Sequence, residues 1–320
     1  MKLPNKALFL FLMISSTCMV LSSSNWLMTW MGLEINMLGF IPLMFLKETT
    51  NESETAMKYL VPQSLGSTVF IASATISLHL QSPQSLMSIA MCLKLGAAPF
   101  HFWFPPVMAG LPLLPAFMLL TWQKIAPVFA IASFTSTPTP DILLVASISA
   151  LWGGVGGLNQ TDIRSLLTYS SIAHTGWMLA GINSSAPVLA IYVMAYILIN
   201  FSIYITLTTP STKSHSQLLA THSPNNSLLL ALSILSLGGL PPLTGFIMKL
   251  LVIKCTQAGL SVILTLILGA LVSLFYYLSL TFSPLMELSK AQLSKTRISK
   301  SSAMFFLANL LPLSALLLFF

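Results

Sequence analysis

The stretch MCLKLGAAPFHFW, residues 91–103, places a lysine, a proline and a histidine inside an otherwise apolar run. The chain around it has 320 residues, of which 55% are hydrophobic and only 7% charged, and its mean hydropathy is +0.86. Soluble domains carry roughly 25% charged residues. We therefore predict an all-α membrane protein in which Lys94 and His101 lie at membrane depth.

Apolar runs bounded by turn residues follow one another along nearly the whole chain. A helix that crosses a bilayer core of about 30 Å needs about 20 residues. Eleven runs of suitable length are present, at about 7–24, 25–46, 59–80, 85–103, 113–133, 141–158, 166–182, 186–207, 227–249, 259–281 and 303–320. We expect one polytopic membrane domain over residues 1–320. The N-terminal run is predicted to be its first span rather than a signal peptide, because the second span follows at once.

The distribution of basic residues predicts the orientation of these spans. With eleven spans, ten of the fourteen lysines and arginines fall on the side of the N-terminus and one, Lys254, falls on the other side. Basic residues collect on the negative side of a membrane, so the N-terminus is predicted to face the matrix or cytoplasm and the C-terminus the opposite side. The ten are Lys2, Lys6, Lys47, Lys58, Arg164, Lys213, Lys290, Lys295, Arg297 and Lys300.

Several classes of function are disfavoured by the composition. The three cysteines show no C-x-x-C spacing and no histidine cluster, which argues against disulfides and structural metal. The net charge of +7 does not gather on a soluble face, as nucleic acid binding requires. The basic stretch from Glu287 to Lys300 is interpreted as a solvated loop that meets anionic headgroups or a neighbouring protein.

Three ionisable residues, Glu34, Lys94 and Lys124, fall near the middle of their spans. A charge at the bilayer centre costs about 2.5–3.5 kcal/mol, so we expect these residues to be functional. Lys249 lies near the end of its span, where it either has a function or extends its ammonium group to the interface. For His101 and His174, an ordinary buried histidine and a proton relay both remain open.

Backbone breaks add a second signal in the fourth and ninth spans. Pro99 interrupts the fourth, and the residues Gly238, Gly239, Pro241 and Pro242 interrupt the ninth. Each break alone can be a packing kink. Together they occupy equivalent positions in two five-helix repeats, about 1–133 and 141–281, with a further helix at about 303–320. Because five is odd, the repeats are predicted to be inverted, an arrangement typical of ion transporters.

Buried lysines of this kind can carry protons. An ammonium group kept from bulk water gives up its proton more readily. A nearby carboxylate such as Glu34 would stabilise the charged form of Lys94, and its withdrawal would release a proton toward Lys124 on the next helix. The energy must come from outside the chain, because the sequence has no P-loop, no G-x-G-x-x-G motif and no haem or cluster ligand set.

Five segments carry a resemblance to a known family. The sequence resembles the chain 2 family of mitochondrial NADH–ubiquinone oxidoreductase, the antiporter-like membrane subunits of respiratory complex I. The segments are WMGLEINMLGFIP (30–42), KLGAAPFHFWFP (94–105), LLTWQKIAPV (119–128), GGVGGLNQTDIRSLLTYSSIAHTGWM (153–178) and LSLGGLPPLTGFIMK (235–249).

The resemblance implies that Glu34, Lys94, Lys124 and Lys249 form the proton path of the family, in the mitochondrial inner membrane. It also implies that this chain binds no cofactor itself, and that NADH, FMN, iron–sulfur clusters and ubiquinone belong to partner subunits. Expected partners are the other complex I subunits and membrane lipids, including cardiolipin, but not nucleic acid. One departure is visible: Pro106 stands where many members carry an acidic residue, so no carboxylate role is expected there.

Two other functions remain open. A stand-alone cation/proton antiporter would share the fold but would work without redox partners. A structural spacer would keep buried charges that only pair with one another. Substitution of Lys124 by methionine would leave pumping intact in the spacer and depress it in a proton carrier.

Overall fold

The computed structural model describes residues 3–45, 50–77, 84–134, 140–208, 224–241, 243–256 and 258–291. Within these ranges the regular structure consists of thirteen helices, and no strand is present. The helices are α1 (Leu3–Ser22), α2 (Trp26–Met44), α3 (Thr50–Ser77), α4 (Gln84–Leu95), α5 (Phe104–Gly110), α6 (Leu113–Leu120), α7 (Trp122–Phe134), α8 (Pro140–Gly157), α9 (Ile163–Gly181), α10 (Ala186–Thr208), α11 (Pro224–Gly238), α12 (Thr244–Cys255) and α13 (Leu260–Ala291).

The outer surface of the bundle is apolar. Leu198, Leu268 and Phe275 are 57%, 54% and 67% exposed, respectively, and many other large apolar side chains share this outer position. Such a surface is unusual on a soluble protein and is what a helix bundle in lipid requires. Five helical segments in the described part are long and apolar enough to span a membrane. The protein is therefore a helical membrane protein, while the count of eleven spans stays a prediction.

The fourth and ninth predicted spans are both broken, and both breaks begin in the same way. α4 ends at Leu95 and is followed by Gly96 with φ +68°, and α11 ends at Gly238 and is followed by Gly239 with φ +83°. In each case the amide of this glycine and the next amide bond back to carbonyls in the last turn of the helix. This is the Schellman motif, in which a left-handed residue, usually glycine, closes a helix. α4 and α11 therefore end in the same C-terminal capping motif.

Two prolines follow the first break. Pro105 and Pro106 lie in the first turn of α5, where backbone amides have no partner within the helix. Pro106 is therefore compatible with the local structure, and the second half of the fourth span extends to Gly110 instead of ending at residue 103.

Other helix bounds depart from the predicted spans. The fifth span is interrupted at Thr121 between α6 and α7, where the Thr121 hydroxyl bonds to the Phe117 carbonyl at 2.7 Å. α3 begins nine residues before the predicted third span, because its polar first turns are helical and carry an ion pair of 2.6 Å between Glu54 and Lys58. α13 continues to Ala291, so the predicted loop from residue 287 begins as helix.

The helices form two groups that have the same internal contacts. In the first group α1 packs on α2 and α7, and α3 packs on α4 and α5. In the second, α8 packs on α9 and α13, and α10 packs on α11 and α12. The groups meet where α5 contacts α9, α4 contacts α8 and α6 contacts α10. The first broken helix, formed by α4 and α5, therefore lies where the two groups meet.

Part of the sequence-based prediction lies outside the described residues. This applies to the last predicted span, 303–320, to Pro242 and to six of the ten basic residues that predict the orientation: Lys2, Lys47, Lys213, Lys295, Arg297 and Lys300.

Candidate functional site

Lys94 lies in the last turn of α4, directly before the first break. Its side chain is 6% exposed, and its ammonium group donates a hydrogen bond of 2.8 Å to the Ser67 hydroxyl on α3. The break leaves the Lys94 carbonyl without a partner within the helix, and the Gln63 side chain donates to it at 3.0 Å. Gly66 gives the room for this contact, because a Cβ there would lie 2.8 Å from Lys94 Cγ.

Glu34 lies on α2 and is half-buried. Its carboxylate acts electrostatically on Lys94. Among the described residues no direct ion pair joins the two groups, since the Lys94 ammonium bonds to Ser67 instead. Glu34 therefore influences Lys94 electrostatically without forming an ion pair with it.

Lys94 and Lys124 line the same small cavity. Its volume is about 20 Å³, above the roughly 10–15 Å³ that one water molecule needs. Gln123 lines this cavity. Its side chain donates a hydrogen bond to the Asn36 side chain at 3.2 Å and accepts one from the Tyr59 hydroxyl at 3.4 Å. Amide and hydroxyl groups of this kind can hold a water molecule between the two lysines.

Lys124 is the most enclosed of the three lysines, at 3% exposure. Its ammonium donates to the Ser171 carbonyl on α9 at 2.9 Å. It also lies 5.5 Å from the ring centre of Phe104 and 5.3 Å from that of Tyr196. Aromatic faces attract cations, so the site accommodates a charge without a carboxylate partner among the described residues.

His174 lies on α9 between Lys124 and Lys249 and interacts electrostatically with both. It is 2% exposed, and its Nδ1 lies 2.8 Å from the Tyr192 hydroxyl on α10. His174 therefore interacts with lysines of both helix groups.

Lys249 points into the bundle and not outward. Its side chain is 8% exposed and turns inward, where Nζ donates to the carbonyls of Leu237 at 3.2 Å and Gly238 at 2.9 Å. These carbonyls form the negative end of the α11 dipole, where a cation is favourable. An apolar cavity of about 210 Å³ between α12 and α13 lies beside Lys249.

His101 and Tyr276 lie apart from this line. His101 is buried against Phe102 and Trp152, with ring centres 4.5 and 5.6 Å apart, and its Nδ1 has no partner among the described residues. Tyr276 packs against Tyr277 with the rings tilted and their centres 4.6 Å apart. No described contact connects either side chain with the three lysines.

Several polar residues of the site were not predicted from the sequence. They are Asn36, Gln63, Ser67, Gln123 and Tyr192, and each lies within a predicted span. The signal that could have identified them is a polar side chain within a predicted membrane span. The ionisable residues Glu34, Lys94, Lys124, His174 and Lys249 are referred to below as the row; the three lysines and His174 are buried and Glu34 is half-buried.

Comparisons with known proteins agree with this architecture. A family model described as "NADH:quinone oxidoreductase/Mrp antiporter, TM" matches residues 23–86 and 77–276. NADH-ubiquinone oxidoreductase chain 2 of Nandinia binotata is 37% identical over 341 residues, covering 99% of this chain and 97% of the relative. The protein of that name from Xenopus laevis is 41% identical over 286 residues, covering 84% and 82%.

Solved structures share the fold. A chain in the structure "Respiratory complex I from Thermus thermophilus with bound Aureothin" is 25% identical, with a TM-score of 0.84 over 97% of this chain and 77% of that one. A chain of an archaeal membrane-bound sulfane sulfur reductase has a TM-score of 0.81 at 15% identity, covering 98% and 73%, and shows the fold alone. The chain belongs to the NADH-ubiquinone oxidoreductase chain 2 family.

Proposed function

We propose that the chain is a proton-translocating membrane-arm subunit of NADH:ubiquinone oxidoreductase, respiratory complex I. Electron transfer from NADH to ubiquinone in partner subunits would drive protons across the mitochondrial inner membrane through this chain. The observation that carries the proposal is the row of ionisable groups from Glu34 to Lys249, four of which are buried. The names of the relatives and the fold shared with a complex I chain support it.

Each group of the row has a role in this proposal. Glu34 stabilises the charged form of Lys94 when it is close, and its withdrawal releases the proton. The cavity at Gln123 then holds the water that passes the proton to Lys124. From there His174, whose ring lies beside both remaining lysines, relays it to Lys249.

The energy for this transfer comes from the partner subunits. One charge moved against the membrane potential costs about 2.3 kcal/mol per 100 mV. We assign NADH, FMN, the iron–sulfur clusters and ubiquinone to those subunits, and to this chain a change of distance between Glu34 and Lys94. Within the described residues no group of three or more histidine, cysteine, aspartate or glutamate side chains could hold a metal ion.

The proposed architecture is a pair of inverted five-helix repeats, α1–α7 and α8–α13, followed by a last helix at about 303–320. The equal contact pattern of the two groups and the shared Schellman ends of α4 and α11 support it. We place the N-terminus on the matrix side and the C-terminus on the intermembrane-space side. The basic C-terminal loop would contact anionic lipid such as cardiolipin or a neighbouring subunit.

His101 has a packing role in this proposal, because its described neighbours are aromatic rings and not members of the row.

Substitution of Lys94 by methionine tests the proposal. The intact complex with Lys94→Met, reconstituted in proteoliposomes, should assemble but show NADH-driven proton translocation reduced at least tenfold. The apolar stem of methionine fills the space, while the proton-carrying group is lost. An unchanged rate of translocation in a fully assembled complex would contradict the proposal.

A stand-alone cation/proton antiporter is the second candidate, since the matching family model is described by the Mrp antiporter as well. Purification under mild conditions separates the two. A subunit of complex I is recovered with the redox complex, whereas a stand-alone antiporter is recovered alone and exchanges cations for protons in vesicles without NADH.

A further inference from the structure

The apolar cavity of about 210 Å³ between α12 and α13 has one charged residue in its wall, Lys249. The rest of the lining consists of apolar and aromatic side chains and the two glycines of the second break. On α13 the lining residues Ile267 and Leu271 are 36% and 59% exposed. Both belong to the apolar outer surface of the bundle, so the cavity opens on the side of the lipid.

The ammonium group of Lys249 lies at the buried end of this cavity. Trp177, Gly238 and Gly239 all line the cavity and lie close to Nζ. The Trp177 ring centre is 6.0 Å from Nζ, the Gly238 carbonyl is 2.9 Å away, and a Cβ on Gly239 would be 3.1 Å away. An ammonium group has three donors. Two bond to the carbonyls of Leu237 and Gly238, which leaves one donor with no bonded partner among the described residues.

A cation at the end of an apolar cavity is complementary to an anion that carries an apolar tail. Lys249 lies six residues before Cys255, the last residue of α12, which corresponds to about 9 Å of helix. A phospholipid would have to bring a permanently charged phosphate to this depth, which is costly. A carboxylic acid can enter in its neutral form and ionise only beside the amine. The depth of the cation therefore favours a carboxylic acid over a phospholipid.

We propose that this cavity binds a long-chain monocarboxylic acid, with the carboxylate on the Lys249 ammonium and the chain between α12 and α13. The carboxyl proton passes to the neutral amine of Lys249, so one carboxylate and one ammonium are formed together. Burial of the apolar chain contributes to the affinity. A bound acid would keep Lys249 charged and unable to accept a proton from His174, and this consequence rests on the proposed function.

Photolabelling of the intact complex tests the proposal. The probe is a long-chain carboxylic acid with a diazirine near the end of its chain, and its methyl ester is the uncharged control. We expect the acid to label α12 and α13, and the ester to label them about ten- to hundredfold less, because it lacks the charged hydrogen bond to Lys249. Equal labelling by acid and ester would indicate an ordinary lipid chain, and no labelling would mean that another part of the complex fills the cavity. Either result would overturn the proposal.

Leu271→Trp and Leu268→Trp form a matched pair of variants on α13. Both leucines belong to the outer surface, at 59% and 54% exposure, but of the two only Leu271 lines the cavity. The larger ring at position 271 should fill the cavity and reduce labelling by the acid about tenfold or more, whereas the change at position 268 should not alter it. Equal labelling of the two variants contradicts the proposal, and so does acid-specific labelling that persists in Lys249→Met.

The rate of NADH oxidation with the acid present separates this inference from the proposed function. Proton translocation is not a suitable readout, because a free carboxylic acid itself carries protons across a bilayer. If the row conducts protons, the acid should slow NADH oxidation in the wild-type complex but not in Leu271→Trp. Acid-specific labelling without slower oxidation would support the binding site and contradict the role of Lys249 as a proton acceptor.

Discussion

Lys124→Met is the substitution for which the structure allows the fullest prediction. The ammonium is 3% exposed and bonds to one carbonyl, at 2.9 Å, beside two aromatic rings. Its removal loses a charged hydrogen bond of about 1.5–3 kcal/mol and two cation–π contacts, together about 2.5–5 kcal/mol. The variant no longer buries a charge at the membrane centre, which offsets about 2.5–3.5 kcal/mol.

The two estimates differ by at most about 2.5 kcal/mol, so we expect the variant complex to assemble. Proton transfer should suffer far more, because a positioned proton-transfer group contributes about 10²–10⁴-fold to a rate. We therefore expect at least a tenfold slower proton translocation per complex. The measurement is NADH-driven acidification in proteoliposomes, with the amount of assembled complex determined in parallel.

Lys58→Met is the matched control for this experiment. Lys58 lies on the outer part of α3, its side chain is 45% exposed, and it pairs only with Glu54 among the described residues. An exposed pair contributes about 0–1 kcal/mol, so this variant should pump normally. The reasoning is refuted if an assembled Lys124→Met complex translocates protons as fast as the control. In that case Lys124 is a structural charge and the spacer interpretation holds.

Three further outcomes follow from the described contacts. Gln63→Leu removes the donor to the Lys94 carbonyl in the last turn of α4. It should lower the free energy of unfolding by about 1–3 kcal/mol, measured as a lower melting temperature of the purified complex. Gly239 has φ +83°, and a Cβ there would lie 3.1 Å from Lys249 Nζ. Gly239→Ala should therefore lower the free energy of unfolding by about 1–2 kcal/mol and also slow proton translocation. A wild-type rate would show that the break tolerates displacement of Lys249. Cysteines introduced at Ser184, and at Ser294 outside the described residues, should react with a membrane-impermeant thiol reagent from opposite sides, and labelling of both from one side would contradict the proposed orientation.

The membrane class, the two helix breaks and the depth of two lysines could be predicted from composition and from the glycines and prolines that end helices. The breaks at Gly96 and Gly239 follow from local chemistry, because a positive φ and a nearby proline act within a few residues. The depth of Lys94 and Lys124 follows from span length alone. The interruption at Thr121 was missed, because a threonine hydroxyl that bonds to a carbonyl four residues back leaves no distinct mark in the sequence.

The partners of the buried groups could not be predicted, since they depend on how helices far apart in the chain are rotated against each other. Gln63 reaches Lys94 from α3, and Lys124 reaches α9 across the two helix groups. His101 and His174 look alike in sequence, yet only the second lies beside the lysines. Position alone left Lys249 as consistent with the interface as with the interior, because sequence position does not define the direction of a long side chain.

The carbonyls in the last turn of the two broken helices receive hydrogen bonds from different kinds of side chain. At the end of α4 the neutral side chains of Gln63 and Trp103 donate hydrogen bonds to the carbonyls. The Lys94 side chain can therefore move without leaving these carbonyls unpaired. At the end of α11 Lys249 itself covers both carbonyls. Movement of Lys249 would leave these carbonyls inside the membrane without a hydrogen-bond donor. In the proposed proton path, Lys94 therefore suits a mobile proton carrier and Lys249 a fixed proton acceptor.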